Sequence, residues 1–372
     1  MLGAVSHRNA KAACMSGKKL TVFSVLKKKI CIKSFLIAPF IAPCLIAACI
    51  SIPDPPRWVL NINEVYPASE YITGRGEGNT RREAESRAMT VISQFFLTQV
   101  NSVQSSRSVF TTGVDGVTGV ERQTIDSVVV ETQVQLITMR YAPDPWHDPK
   151  TRIWETVAYI KREEGWEVYE PSAKRQSDAL LAIIQAADTE TEPFNAFLRY
   201  GNALAYENGA EYSGTRTFAQ VLYPAKATAF FAKADAALTT VPQKQLAARE
   251  RSRIFVSCSV DYNGMIYQAT VKAIGTCGFA VEQNRNLSNT QCLIQVEEGE
   301  QRRDAGIFYY PVLTGTIGGR NGALFSFKIQ AERQGAINPD IAKRRAYDAL
   351  AGALEDSFAG ELKKYQDALA KN

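Results

Sequence analysis

The sequence predicts an α+β protein: two small antiparallel-sheet-plus-helix domains joined by a helical spacer, after an N-terminal signal peptide. Three observations carry this. The order strand, helix, several strands, helix occurs twice, at 57–171 and at 251–372. An Ala-rich stretch of helical period, 172–250, separates the two occurrences. Residues 1–48 hold Arg8, Lys11, Lys18, Lys19, Lys27, Lys28, Lys29 and Lys33 and no acid, the composition of an export leader rather than of a folded domain.

That leader also accounts for the chain-wide formal charge of +5. With eight of the 43 basic residues removed, 35 remain against 38 acids, so the body is mildly acidic at −3. Its Lys and Arg are interspersed with acids, which argues against nucleic acid as a partner. Lys27-Lys28-Lys29 and Lys33 precede an uncharged run from Ser34 to Ile52, in the order of a signal's basic and apolar regions. Pro39 and Pro43 interrupt the run, which falls short of the roughly 20 apolar residues of a spanning helix. At its end, Ile46-Ala47-Ala48-Cys49 resembles the lipobox of bacterial lipoprotein precursors. The resemblance implies a diacylglyceryl group on the Cys49 thiol, cleavage after Ala48, and membrane lipid as a partner. An uncleaved anchor with a chance cysteine is the rival reading. Cys44 is a poorer candidate because Pro43 occupies its cleavage site, and both Met1 and Met15 are candidate starts. Ile50 stands where an aspartate would resemble an inner-membrane retention signal, so the outer membrane is the expected address. Two or three acyl chains, at about 0.8 kcal/mol per buried methylene, hold such a chain stably.

Residues 49–56 include Ser51-Ile52-Pro53-Asp54-Pro55-Pro56, a stiff Pro-rich tether expected to lift the first domain off the bilayer. In 57–171 a strand is expected at Tyr71 to Gly76 and a helix from Arg81 to about Val103. Thr80 and Glu83 are spaced as a capping box, and Ala84, Ala88, Val91, Ile92, Phe95 and Phe96 recur at helical spacing. Alternation at Val109, the Gly113–Gly116 turn, Val128 to Met139 and Ile153 to Lys161 predicts an antiparallel meander. Pro143-Asp144-Pro145-Trp146-His147-Asp148-Pro149 reads as a loop between two of its strands.

In 172–250, Pro193 and Pro224 suit first helical turns, and the stretch resembles a single tetratricopeptide hairpin. One such unit cannot bury its own face, so it is expected to pack on a neighbour. In 251–372, strands are expected at Ile254 to Val260, Phe279 to Val281, Thr290 to Val296, Tyr309 to Ile317 and Leu324 to Ala331. Helices are expected at Ile266 to Ile274 and from about Pro339 to Leu369, and the last two strands pair across Gly318–Gly322, which contains an Asn-Gly turn signal.

The stretch Trp58 to Val103, with Tyr71-Ile72-Thr73-Gly74-Arg75-Gly76-Glu77-Gly78 running into Ala84, Ala88 and Phe95-Phe96, resembles the bacterial "lipoprotein twenty" family. That family is similar to the N-terminal domain of flagellar assembly protein T. The resemblance covers about 57–171 and implies an envelope location and a small α+β domain; it brings no catalytic residues. The C-terminal region is similar only in outline to envelope domains of β-α-β start, such as the one preceding the propeller of Tol-type periplasmic proteins.

The chemistry-bearing residues read as follows. Gly74, Gly76 and Gly78 sit between strand and helix, but their spacing fits neither the dinucleotide fingerprint nor the P-loop, so close strand–helix packing is expected. His147 stands beside Asp144 and Asp148 with too few ligands for zinc and no Gly-x-Ser-x-Gly to partner it. Cys258, Cys277 and Cys292 leave a disulfide and buried thiols equally open. Glu163-Glu164 and Glu297-Glu298 read as solvated edges of turns. Trp146 is expected to be exposed for a partner, with His147 beside it. No catalytic residue, metal or cofactor is assigned. The function expected is a non-catalytic scaffold or interaction module of the bacterial envelope, serving wall, motility or surface assembly through envelope proteins or peptidoglycan. A periplasmic hydrolase or ligand-binding protein acting on the wall is the alternative, and a deep polar pocket around His147 or the glycine strand would favour it.

Overall fold

The computed structural model describes residues 54–108, 139–304 and 306–371. Cys49, the leader, the start of the tether, and the strands expected between Val109 and Met139, apart from Met139 itself, lie outside those residues. The described chain is α+β, and none of its helices is long and apolar enough to cross a membrane.

The first lobe opens with two one-turn helices, α1 (Arg57–Leu60) and α2 (Ile62–Val65). Asn61 joins them: its N–H caps α1 at the Arg57 carbonyl, and its side chain accepts from Asn63 N of α2 at 3.2 Å. β1 (Tyr71–Gly78) then leads into α3 (Arg81–Ser108). The helix starts where the capping pair puts it, with Thr80 Oγ1 accepting from Glu83 N at 3.2 Å. The Glu83 carboxylate reaches one residue further back than expected, to Asn79 N at 2.9 Å.

The glycines of β1 explain the close packing of α3. A Cβ on Gly74 would lie 2.3 Å from the Ala88 carbonyl oxygen, and one on Gly76 would lie 2.1 Å from that of Ala84 and 2.3 Å from Ala88 N. The strand and helix backbones therefore touch where only hydrogen fits. β4 (Trp154–Lys161) pairs antiparallel with β1 from Tyr71↔Lys161 to Gly78↔Trp154, and with the two-residue strands β2 (Arg140–Tyr141) and β3 (Trp146–His147). The Pro-rich segment is thus not wholly loop, because Trp146 and His147 join the sheet opposite Glu155 and Trp154.

β4 runs without a break into α4 (Arg162–Asp188), ten residues before the helical stretch was expected to open. Glu163 and Glu164, read as edge residues of a turn, are the acids of its first turn, where the helix dipole favours them. Arg162 fixes the corner by donating to the carbonyls of Ala68, Val221 and Leu222. α5 (Pro193–Asn208), α6 (Ala210–Leu222) and α7 (Pro224–Arg251) follow, with Pro193 and Pro224 in first turns as expected. Four helices replace the single expected hairpin. They bury Trp166, Tyr169, Leu180, Phe218 and Phe231 in one core with Ile72, Ile92, Phe96 and Ile160 of the first lobe.

The second lobe holds β5 (Ile254–Cys258), α8 (Met265–Thr276), β6 (Val281–Glu282), β7 (Thr290–Glu297), β8 (Glu300–Arg303), β9 (Gly306–Tyr309), β10 (Val312–Gly319), β11 (Gly322–Gln330), β12 (Gln334–Ala336) and α9 (Pro339–Leu369). Its main sheet has the order β11-β10-β7-β5-β6. This corrects the antiparallel expectation: β5 runs parallel to both β6 and β7. A helix between β5 and β6 returns the chain to the starting end, as parallel pairing requires. The strand expected over Tyr309 to Ile317 divides near Pro311, and β9 joins a small second sheet, β12-β9-β8. Pro311 has no N–H to continue a ladder. α8 and α9 cover the inner face, burying Ile266, Ile274, Leu350, Leu354 and Phe358 against Ile254, Cys292, Leu313 and Phe327.

Candidate functional site at the aromatic face of the first lobe

Of the two residues singled out for interaction, Trp146 falls on the face of the first sheet away from α3 and His147, one residue on, on the opposite side. Alternation along β4 decides this, since Ala158 and Ile160 enter the α3 core while Val157 enters a separate small core with Trp58, Tyr66 and Ala142. α1 and α2 supply Trp58 and, just beyond them, Tyr66. Trp58 is 2% exposed and its Nε1 donates to the Asp144 carbonyl at 3.3 Å, which ties the Pro-rich segment to α1. Tyr66 stacks on Tyr159 at 4.9 Å between ring centres and meets Tyr71 edge-on at 5.4 Å. Burial raises the Tyr66 phenol above its usual pKa, with the neighbouring Tyr159 adding to the effect.

Trp146 is half-buried against this cluster rather than freely exposed. β3 pairing turns its ring onto the same face as Tyr159, and this corrects the expectation drawn from its loop setting. His147 points the other way, exposed, its ring 4.8 Å from that of Trp154. The Asp148 carboxylate is used locally: it accepts from Lys150 N at 2.8 Å and from Thr151 Oγ1 at 2.9 Å, and closes the turn to β4 in which Arg152 takes φ +60°. The Lys150 backbone bond and then the Thr151 hydroxyl hold that carboxyl below the usual range. His147 and Asp148 thus serve a ring contact and a turn. Among the described residues no group of three or more His, Cys, Asp or Glu is placed to hold a metal ion.

The other candidates are dispersed. Gly74, Gly76 and Gly78 face α3 at backbone contact and leave no space for a phosphate. Cys258, Cys277 and Cys292 are free thiols. Burial pushes Cys292 up to about 12 and Cys258 up to about 11, so neither is an activated nucleophile. Glu297 ends β7, and Glu298 accepts from Lys343 at 2.8 Å and from the buried Tyr347 hydroxyl at 2.5 Å. Burial alone would raise the Glu298 carboxyl, but these two donors outweigh it and hold it low. An open cavity of about 290 Å³ lies between α5, α7 and α9. It is lined by Phe197, Leu198, Gln245, Cys277, Leu362 and Lys363, with Gly201, Ala359 and Gln366 completing it, and neither a histidine nor a carboxylate faces it.

Sequence reading placed the aromatic density of this lobe but assigned no structure to 57–65. The one local signal was Asn61, whose side chain suits an N-cap. The helices it separates are too short for a period to register.

No family model and no curated protein matches the chain. Among solved structures, a secreted protein of the human pathogen Helicobacter pylori is weakly similar, with 10% identity and a TM-score of 0.31, over 78% of this chain and 97% of its own. A minor lipoprotein of Acinetobacter baumannii is weakly similar over 32% of this chain and 94% of its own, with 9% identity and a TM-score of 0.21.

Proposed function

We propose that the chain is an exported bacterial lipoprotein of the cell envelope, fixed to a bilayer through acyl chains on Cys49, whose two lobes act as a non-catalytic scaffold or interaction module. The observation that carries this is Ile46-Ala47-Ala48-Cys49 at the end of an acid-free leader that is basic first and apolar after. The family reading, a lipoprotein-twenty-like domain over about 57–171, rests on the glycine-spaced Tyr71–Gly78 segment and the helix after it. Close backbone contact between β1 and α3 gives those glycines a structural use. Ile50 favours the outer membrane, and envelope proteins or peptidoglycan are the partners proposed.

Growth of expressing cells with radiolabelled palmitate tests the anchor. Label is expected in the wild-type chain and lost in Cys49→Ala; equal label in both refutes the assignment. Pull-down from envelope extract with residues 54–372 tests the scaffold role, and recovery of no envelope component counts against it.

A further inference from the structure

The aromatic face of the first lobe is built in part by α1, the helix that follows the tether directly in sequence. Only seven residues lie between Cys49 and Arg57, and the eight steps from one to the other span no more than about 28 Å at full extension. α1 therefore stays within that reach of the acylated end. On α1, Trp58 faces inward while Leu60, two residues on, is 76% exposed. Val65 on α2 is 37% exposed. Ile62, Tyr71, Trp146 and Tyr159 are half-buried against the Trp58 core that α1 and α2 cover, so this end of the lobe carries exposed aliphatic tips on its helices and amphipathic rings in the layer beneath. Tyr and Trp with one apolar side and one polar end are the residues that settle at a lipid–water boundary. Asp54, Arg57, Glu64 and Glu70 leave this stretch net negative, which makes its complement apolar rather than an anionic surface.

We propose that the α1–α2 face, led by Leu60 and Val65, rests in the headgroup layer of the bilayer that holds Cys49. This rests on the lipid-anchor reading and adds an orientation to it, with the first lobe at the surface. The two short helices are joined by the Asn61 cap between them and tied to the sheet side by the Trp58–Asp144 bond beneath. The contact needs no anionic lipid.

The test uses the lipidated full chain with Cys258, Cys277 and Cys292 replaced by alanine, reconstituted into phosphatidylcholine vesicles that hold no other protein. A nitroxide is placed at Leu60→Cys or, as the control, at exposed Leu246→Cys on α7. The ratio of collisions with oxygen to collisions with a water-soluble nickel chelate is then measured. At position 60 it is expected to exceed that at 246 by about threefold or more. Equal ratios in protein that floats with the vesicles overturn the orientation and leave the anchor standing; that result also follows if the face serves a protein partner or if the tether stands upright. Protein that fails to float overturns the anchor and this inference together.

Discussion

Gly76 stands where a single carbon is enough to disturb two elements. A methyl group there meets the Ala84 carbonyl and the Ala88 amide, both backbone atoms that cannot rotate away. Gly76→Ala is expected to lower stability by roughly 3 kcal/mol, the upper part of the range for overpacking, read as a fall in the urea midpoint. Gly352→Ala is the internal contrast: it lies in α9 with nothing within 4 Å of an added Cβ, so a gain of about 0.5–1 kcal/mol is expected. An unchanged midpoint for Gly76→Ala contradicts the backbone contact. The buried thiols act at the same scale. Cys292 and Cys258 are raised from a usual value of 9.0 to about 12 and about 11, chiefly by burial. A raised pKa favours the protonated, folded chain, so their contribution is whole below pH 9 and is lost as pH rises through about 9 to 12. Stability should therefore fall across that window, and Cys292→Ala should flatten the fall in urea titrations; an unaltered slope contradicts the burial.

α5 is the element that makes the two lobes one body. Ala196, Tyr200 and Ala203 belong to the first core, while Phe194 and Leu198 belong to the second. Phe194 stacks on Phe279 at 4.7 Å, Arg199 donates to the Leu369 carbonyl at 2.9 Å, and Asn321 donates to Glu192 at 2.7 Å. Phe194→Ala is expected to cost about 3–5 kcal/mol and to split a single thermal transition into two, followed by calorimetry; one shifted but unsplit transition contradicts the coupling role. This dual burial was invisible in the sequence. A helix that gives one face to each of two cores has no single apolar stripe, so 172–250 read as a spacer. By contrast α9 was legible to its ends, because Asn338 caps it, Pro339 starts it and its apolar residues recur without interruption. The parallel pairing of β5 with β6 and β7 depends on which strands meet in space, and alternation along each strand says nothing of that. The same limit applied at Trp146: its neighbours in sequence are those of a loop, and its burial comes from Trp58 and Tyr159, far away along the chain.

Across the whole molecule, the described lobes hold apolar cores, thiols raised by burial and a histidine ring set against a tryptophan. The residues on which the envelope reading turns lie before them, in the leader and at Cys49. The two parts meet in the proposed orientation, where a short tether brings the aromatic face to the bilayer. The measurement that reaches the centre of this account is the intact mass of the chain purified from membranes, with fragmentation of its N-terminal peptide. Loss of residues 1–48 and a diacylglyceryl adduct on Cys49 are the expected result. A chain that retains the leader, or that begins at Cys49 with an unmodified thiol, contradicts it.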